Sequence, residues 1–83
     1  RVATATADDL VTHSQARQLA VDWCGEGSNV TYAPLSNPSA GTKSILNHVG
    51  PFITDQLAAR NWVVDRLAGK PATSNCASIA GMP

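Results

Sequence analysis

Apolar residues recur at Ala16, Leu19, Ala20 and Trp23, the i, i+3, i+4, i+7 spacing of one helical face. Thr12, followed three residues later by Gln15, has the form of a capping box, in which two side chains satisfy free N–H groups of a first turn. Gly25 and Gly27 close the segment, because glycine enters the left-handed region that ends helices without a Cβ penalty. The pattern predicts an amphipathic helix over residues 12–24. The period then shortens to two, with Val30 and Tyr32 alternating against Asn29, Thr31 and Ala33, which predicts a short strand entered by a tight turn. Residues 34–44 hold two prolines, one glycine and three serines and read as an exposed loop, since proline cannot donate to a sheet ladder. Ile45-Leu46 reads as a return to the core, with His48 soon after it. Gly50-Pro51 then opens a helical stretch in which Ile53, Leu57, Val64 and Leu67 share a stripe, with Asn61 a candidate cap for a second helix. Gly69 and Pro71 stop it, and residues 71–83 read as a loose tail tied down by Cys76 alone.

A chain of 83 residues is enough for one small domain, and a fold of that size buries only about 60–65% of the surface its unfolded form exposes. Six basic and six acidic side chains cancel, with no run of like charge, so nucleic acid is not expected as a partner for want of a basic footprint. The same balance argues against docking on anionic membranes, and apolar runs as short as Trp62-Val63-Val64 fall far below the roughly 20 residues of a membrane span. Residues 1–7 begin with Arg1 and lack the apolar core of a signal peptide, so the expectation is a segment from within a longer protein.

Two cysteines change the picture further. Cys24 and Cys76 stand far apart, which suits one long-range disulfide better than a metal knuckle or a redox pair, two buried thiols being the alternative. Closing so long a loop stabilises by about 4 kcal/mol in the chain-entropy model. A disulfide implies an oxidising compartment, hence secretion. Asn29-Val30-Thr31 is a glycosylation sequon, relevant only in a eukaryotic secretory host.

The candidate chemistry lies in the order acidic turn (Asp8, Asp9), helix, strand, loop, His48, helix. In α/β-hydrolases a triad runs nucleophile, acid, histidine along the chain, each on a loop at the carboxyl end of a strand. The acid fixes the imidazole tautomer and stabilises the imidazolium formed when histidine takes the nucleophile's proton. Taken singly, each residue has a plainer reading. An acidic pair before a helix is commonly a solvated turn favoured by the helix dipole, and a lone histidine is commonly an ordinary surface or core residue. His13, in the first turn of the predicted helix, reads as solvent-facing. None of the serines at 14, 28, 36, 39, 44, 74 and 78 lies in a G-x-S-x-G, and no glycine run beside a histidine offers an oxyanion hole. The 83 residues alone are therefore predicted to be inactive as a serine hydrolase.

Several segments together resemble the C-terminal end of the secretory lipase family. They are Ala7-Asp8-Asp9-Leu10-Val11, Gln15-Ala16-Arg17-Gln18-Leu19-Ala20, Trp23-Cys24, Gly27-Ser28-Asn29-Val30-Thr31-Tyr32, His48, the run from Trp62 to Pro71, and Cys76. The resemblance implies a small C-terminal portion of an α/β-hydrolase, with two or three helices and one or two short strands, forming a single unit over residues 1–83. It implies a secreted lipase or esterase that cleaves acylglycerol esters without a cofactor; Cys24, Cys76, His13 and His48 have no recognised ligand spacing for a metal. The implied partners are the rest of the parent hydrolase and the lipid ester. An Asp-x-x-Val turn supplies the acid in that family, which places the role on Asp8 with Asp9 its neighbour. The family histidine falls on His48, and the family disulfide on Cys24 and Cys76. Three departures stand out: Thr12 replaces a proline usual after the valine of the acid turn, residues 34–47 make a longer approach to the histidine, and Ala3-Thr4-Ala5-Thr6 replaces a glycine-rich lead-in to the acid turn. An alternative reading is an autonomous, disulfide-stapled binding module without catalysis.

Overall fold

A computed structural model describes all 83 residues. The elements are β1 (Val2–Ala5), α1 (His13–Gly25), β2 (Tyr32–Leu35), α2 (Ile45–Thr54), α3 (Gln56–Leu67) and a 3₁₀ helix (Cys76–Gly81). The strands pair in parallel with Val2 opposite Tyr32 and Ala5 opposite Leu35. Parallel strands cannot be joined by a tight turn, and α1 supplies the crossover. The result is a small α/β arrangement built on one β-α-β unit.

The helix over 13–25 matches the predicted segment, but its two signals act differently from the pattern. Thr12 sits at the N-cap without a side-chain cap bond, so the Thr12/Gln15 capping box does not form. The buried face is also rotated. Ala20 is fully buried with Ala16, Val21 and Cys24 partly buried beside it, while Leu19 and Trp23 lie exposed. Small side chains let the helix approach the sheet closely, and the large ones turn outward.

Val30 and Tyr32 are buried on one side as their alternation predicts, yet the strand proper continues to Leu35 and contains Pro34. Tyr32 directs both its peptide groups away from β1, toward Asn75. Pro34 shares that parity, so its missing N–H falls on the outer edge, where no ladder bond is lost. Asn75 occupies that edge: its Oδ1 accepts the Tyr32 N–H at 2.7 Å, its Nδ2 donates to the Tyr32 carbonyl at 2.7 Å, and its own N–H donates to the Val30 carbonyl at 2.9 Å.

The tail is held at more points than Cys76. Ile79 joins Val2, Ala20, Val30 and Tyr32 in the core, and the Arg17 guanidinium donates to the Ile79 carbonyl. Cys24 and Cys76 form the predicted disulfide, with Cα atoms 5.7 Å apart.

The second half of the chain departs most from its pattern. Ile45 and Leu46 are exposed and begin α2, with Ser44 capping it through a side-chain bond from the Leu46 N–H. Helix α2 thus starts before Gly50-Pro51 and carries Pro51 inside, where the i−4 carbonyl of Asn47 loses its usual donor. The break to the next helix falls at Asp55, not Asn61, and the Asp55 carboxylate is held there by Arg1 in a bidentate pair at 2.5 and 2.7 Å. Helix α3 buries no residue, and the stripe of Ile53, Leu57, Val64 and Leu67 faces outward. No helix is long and apolar enough to cross a membrane.

Candidate functional site

The carboxyl ends of two adjacent parallel strands are where α/β proteins gather functional groups, and both candidate residues lie there. Asp8 follows β1 in the turn that leads into α1. Its N–H bonds to the Ala5 carbonyl and its own carbonyl accepts the His13 N–H, which fixes the turn at both ends. Asp8 Oδ1 accepts the N–H groups of Leu10 and Val11, both at 3.1 Å, an Asx-type turn that aims the other oxygen across the site.

That second oxygen, Oδ2, meets Nδ1 of His48 at 2.7 Å across 40 positions of sequence. The Asp8 side chain is 7% exposed and that of His48 42% exposed, so a buried acid holds an accessible imidazole. A carboxylate can only accept, so Nδ1 is the donor of this bond, and Nε2 is the ring nitrogen with no partner in the chain. His48 lies on the first turn of α2, whereas the family order places it on a loop after the last strand. With Ala5, Asp8, Leu35 and Phe52 it lines an open groove. No serine hydroxyl of the chain is bonded to His48.

Asp9 does not compete for the histidine. Its Oδ2 accepts the Lys43 N–H at 2.7 Å and its Oδ1 accepts Asn47 Nδ2 at 2.9 Å. The Lys43 amide, then the Asn47 carboxamide, hold the Asp9 carboxyl below its ordinary pKa. Sequence reasoning passes over Asn47, since one buried carboxamide beside a histidine leaves no periodic trace. His13 is half-buried, not solvent-facing: Nε2 lies 3.0 Å from the Pro83 carbonyl and 3.3 Å from the Tyr32 hydroxyl, and Nδ1 is 3.4 Å from Thr4 Oγ1. It takes no part in the groove.

A buried carboxylate orienting an exposed imidazole at the ends of parallel strands is an arrangement found in hydrolases that activate a nucleophile. The chain belongs to the secretory lipase family, whose profile matches residues 1–75. Among curated proteins it is similar to the secreted triacylglycerol lipase LIP4 of Malassezia globosa, 32% identical over 69 residues, which are 83% of this chain and 14% of that protein. It is also similar to the secreted triacylglycerol lipase LIP3 of the same organism, 26% identical over 80 residues, 94% of this chain and 16% of that one. The chain thus spans about a seventh of the length of the curated relatives it matches. No solved structure matches it.

Proposed function

We propose that this chain supplies the acid, Asp8, and the base, His48, of a serine esterase acting on acylglycerols, as the C-terminal part of a longer secreted hydrolase that supplies the nucleophile and the oxyanion hole. The observation that carries this reading is the 2.7 Å contact between Asp8 Oδ2 and His48 Nδ1, made by a buried acid to a base that lines an open groove. Nε2 takes the serine hydroxyl proton as that oxygen attacks the ester carbonyl carbon. It returns the proton to the departing alkoxide as the tetrahedral intermediate collapses. Water then repeats the sequence on the acyl-enzyme, and Asp8 steadies the imidazolium throughout. The outward apolar residues of α2 and α3, Phe52, Ile53, Leu57 and Leu67 among them, support a chain that packs against more protein and do not favour an autonomous module.

The test is turnover of a short p-nitrophenyl ester by the full-length secreted protein. His48→Ala should cost up to about a millionfold in kcat, and Asp8→Asn less, roughly ten-thousandfold, because a misoriented imidazole keeps some basicity. Residues 1–83 alone should be inert. Turnover surviving in His48→Ala would remove His48 from the reaction, and turnover by the isolated segment would overturn the division of roles.

A further inference from the structure

Two adjacent residues on the acid turn meet two adjacent residues on α2. Asp8 holds His48, and one position further along Asp9 holds Asn47, in the reverse order expected when two short segments meet side by side. The second contact is the better buttressed. Asn47 is 3% exposed and its carboxamide makes three bonds: Nδ2 donates to Asp9 Oδ1 at 2.9 Å and to the Gly41 carbonyl at 2.7 Å, while Oδ1 accepts the Ala40 N–H at 2.7 Å. The other oxygen of Asp9 receives the Lys43 N–H. One carboxylate and one carboxamide thus tie the acid turn, the loop before α2 and the first turn of α2 into a closed network.

The geometry points to Asp9 and Asn47 as the positioning pair of the site, setting where α2 presents His48 to the carboxylate of Asp8. The inference rests on the reading of Asp8 and His48 as acid and base. Its physical basis is the shortage of other restraints. Ile45, Leu46 and Val49, the apolar neighbours of His48 on α2, are exposed and do not seat the first turn by burial. Within residues 45–49 the buried side chain is Asn47. Pro51 also deprives the Asn47 carbonyl of its helical donor, which weakens the turn that carries the histidine. Pro51, buried one turn further on, seats the middle of α2, and the polar contacts to Asp9 hold its first turn, which packing does not. A satisfied hydrogen-bond network rigidifies the segments it joins, and one with a missing member leaves unpaired groups on the buried Asn47. Neither residue touches the ester; both act through His48.

The experiment uses the full-length secreted protein with Asp9→Asn, Asn47→Ala and Asn47→Asp singly, the exchange Asp9→Asn with Asn47→Asp, and His48→Ala as reference. Active sites are counted by irreversible titration with an organophosphonate, so that kcat is expressed per competent site and loss of folded protein does not enter. Asp9→Asn keeps the size of the side chain and turns one acceptor into a donor against a donor, which guards against a variant that merely fails to fold. Each single change should lower kcat per site roughly tenfold to a hundredfold, the scale of a misplacement near 1 Å, with KM within about twofold. The exchange should recover kcat over Asn47→Asp alone, because the donor and acceptor of the contact are both restored with their roles reversed. Unchanged kcat per site in all three single variants, with His48→Ala inactive, would overturn the positioning role and leave the acid and base in place. Turnover surviving in His48→Ala would overturn both readings together.

Discussion

The carboxamide of Asn75 lies along the outer edge of β2 and bonds both peptide groups of Tyr32, as a neighbouring strand would. A strand edge left open presents unpaired N–H and C=O groups that recruit other strands. One side chain closes this edge at the residue with the largest fully buried side chain.

Asn75→Ala should therefore destabilise by about 1–3 kcal/mol, the cost of leaving partly buried peptide groups unpaired. Asn75→Asp should fare no better, because it keeps the acceptor for the Tyr32 N–H but sets a carboxylate oxygen against the Tyr32 carbonyl. Denaturant midpoints of the secreted protein measure both, and an unchanged midpoint in either variant would show that Asn75 does not carry the edge.

The Arg1 guanidinium and the Asp55 carboxylate, with side chains 14% and 11% exposed, fasten the start of β1 to the junction of α2 and α3. Removing one partner strands the other charge in a partly dehydrated place. Asp55→Ala should cost about 2 kcal/mol, between the values for exposed and for buried pairs. Arg1→Met combined with Asp55→Leu should cost less than either single change. A double variant less stable than both singles would contradict this.

Acid should open the loop before α2. The Lys43 amide, and after it the Asn47 carboxamide, favour the charged form of Asp9 and lower its folded pKa. A group with a depressed folded pKa contributes stability that is fully present above its unfolded value, about 4, and lost as pH falls through the folded one. Hydrogen exchange at the Lys43 amide, corrected for its intrinsic rate, should show constant protection above about pH 4 and falling protection below it. Asp9→Asn should remove that dependence, and protection independent of pH in the unaltered protein would refute it.

What the sequence makes legible follows from which signals are periodic. Helix α1 is readable because its small and large apolar residues keep a 3.6-residue spacing, although Leu19 and Trp23 show that the pattern does not say which part of the stripe is covered within residues 1–83. Val30 and Tyr32 are readable as alternating core positions. The four residues of β1, Val-Ala-Thr-Ala, are too few and too small to carry a period, so their strand is set by pairing with β2. Ile45 and Leu46 mislead because apolarity implies burial only when something lies above them. The Arg1–Asp55 pair and the Asn75 edge join residues 54 and 43 positions apart, which no local window contains. Asp8 and His48 could be singled out by family resemblance and by order along the chain, but their contact, and the part played by Asn47, exist only once the chain is folded.

The disulfide gives the site a tolerance to cleavage. Residues 38–43 are exposed in an unbroken run between β2 and α2, the kind of loop tip that proteases reach first. A single cut there would put Asp8 and Cys24 on one polypeptide and His48 and Cys76 on another. The bond between Cys24 and Cys76 would still join the two as one covalent molecule. Acid and base would then meet at an effective concentration set by that tether and not by dilution into the medium, so they could re-form their contact after being severed along the backbone.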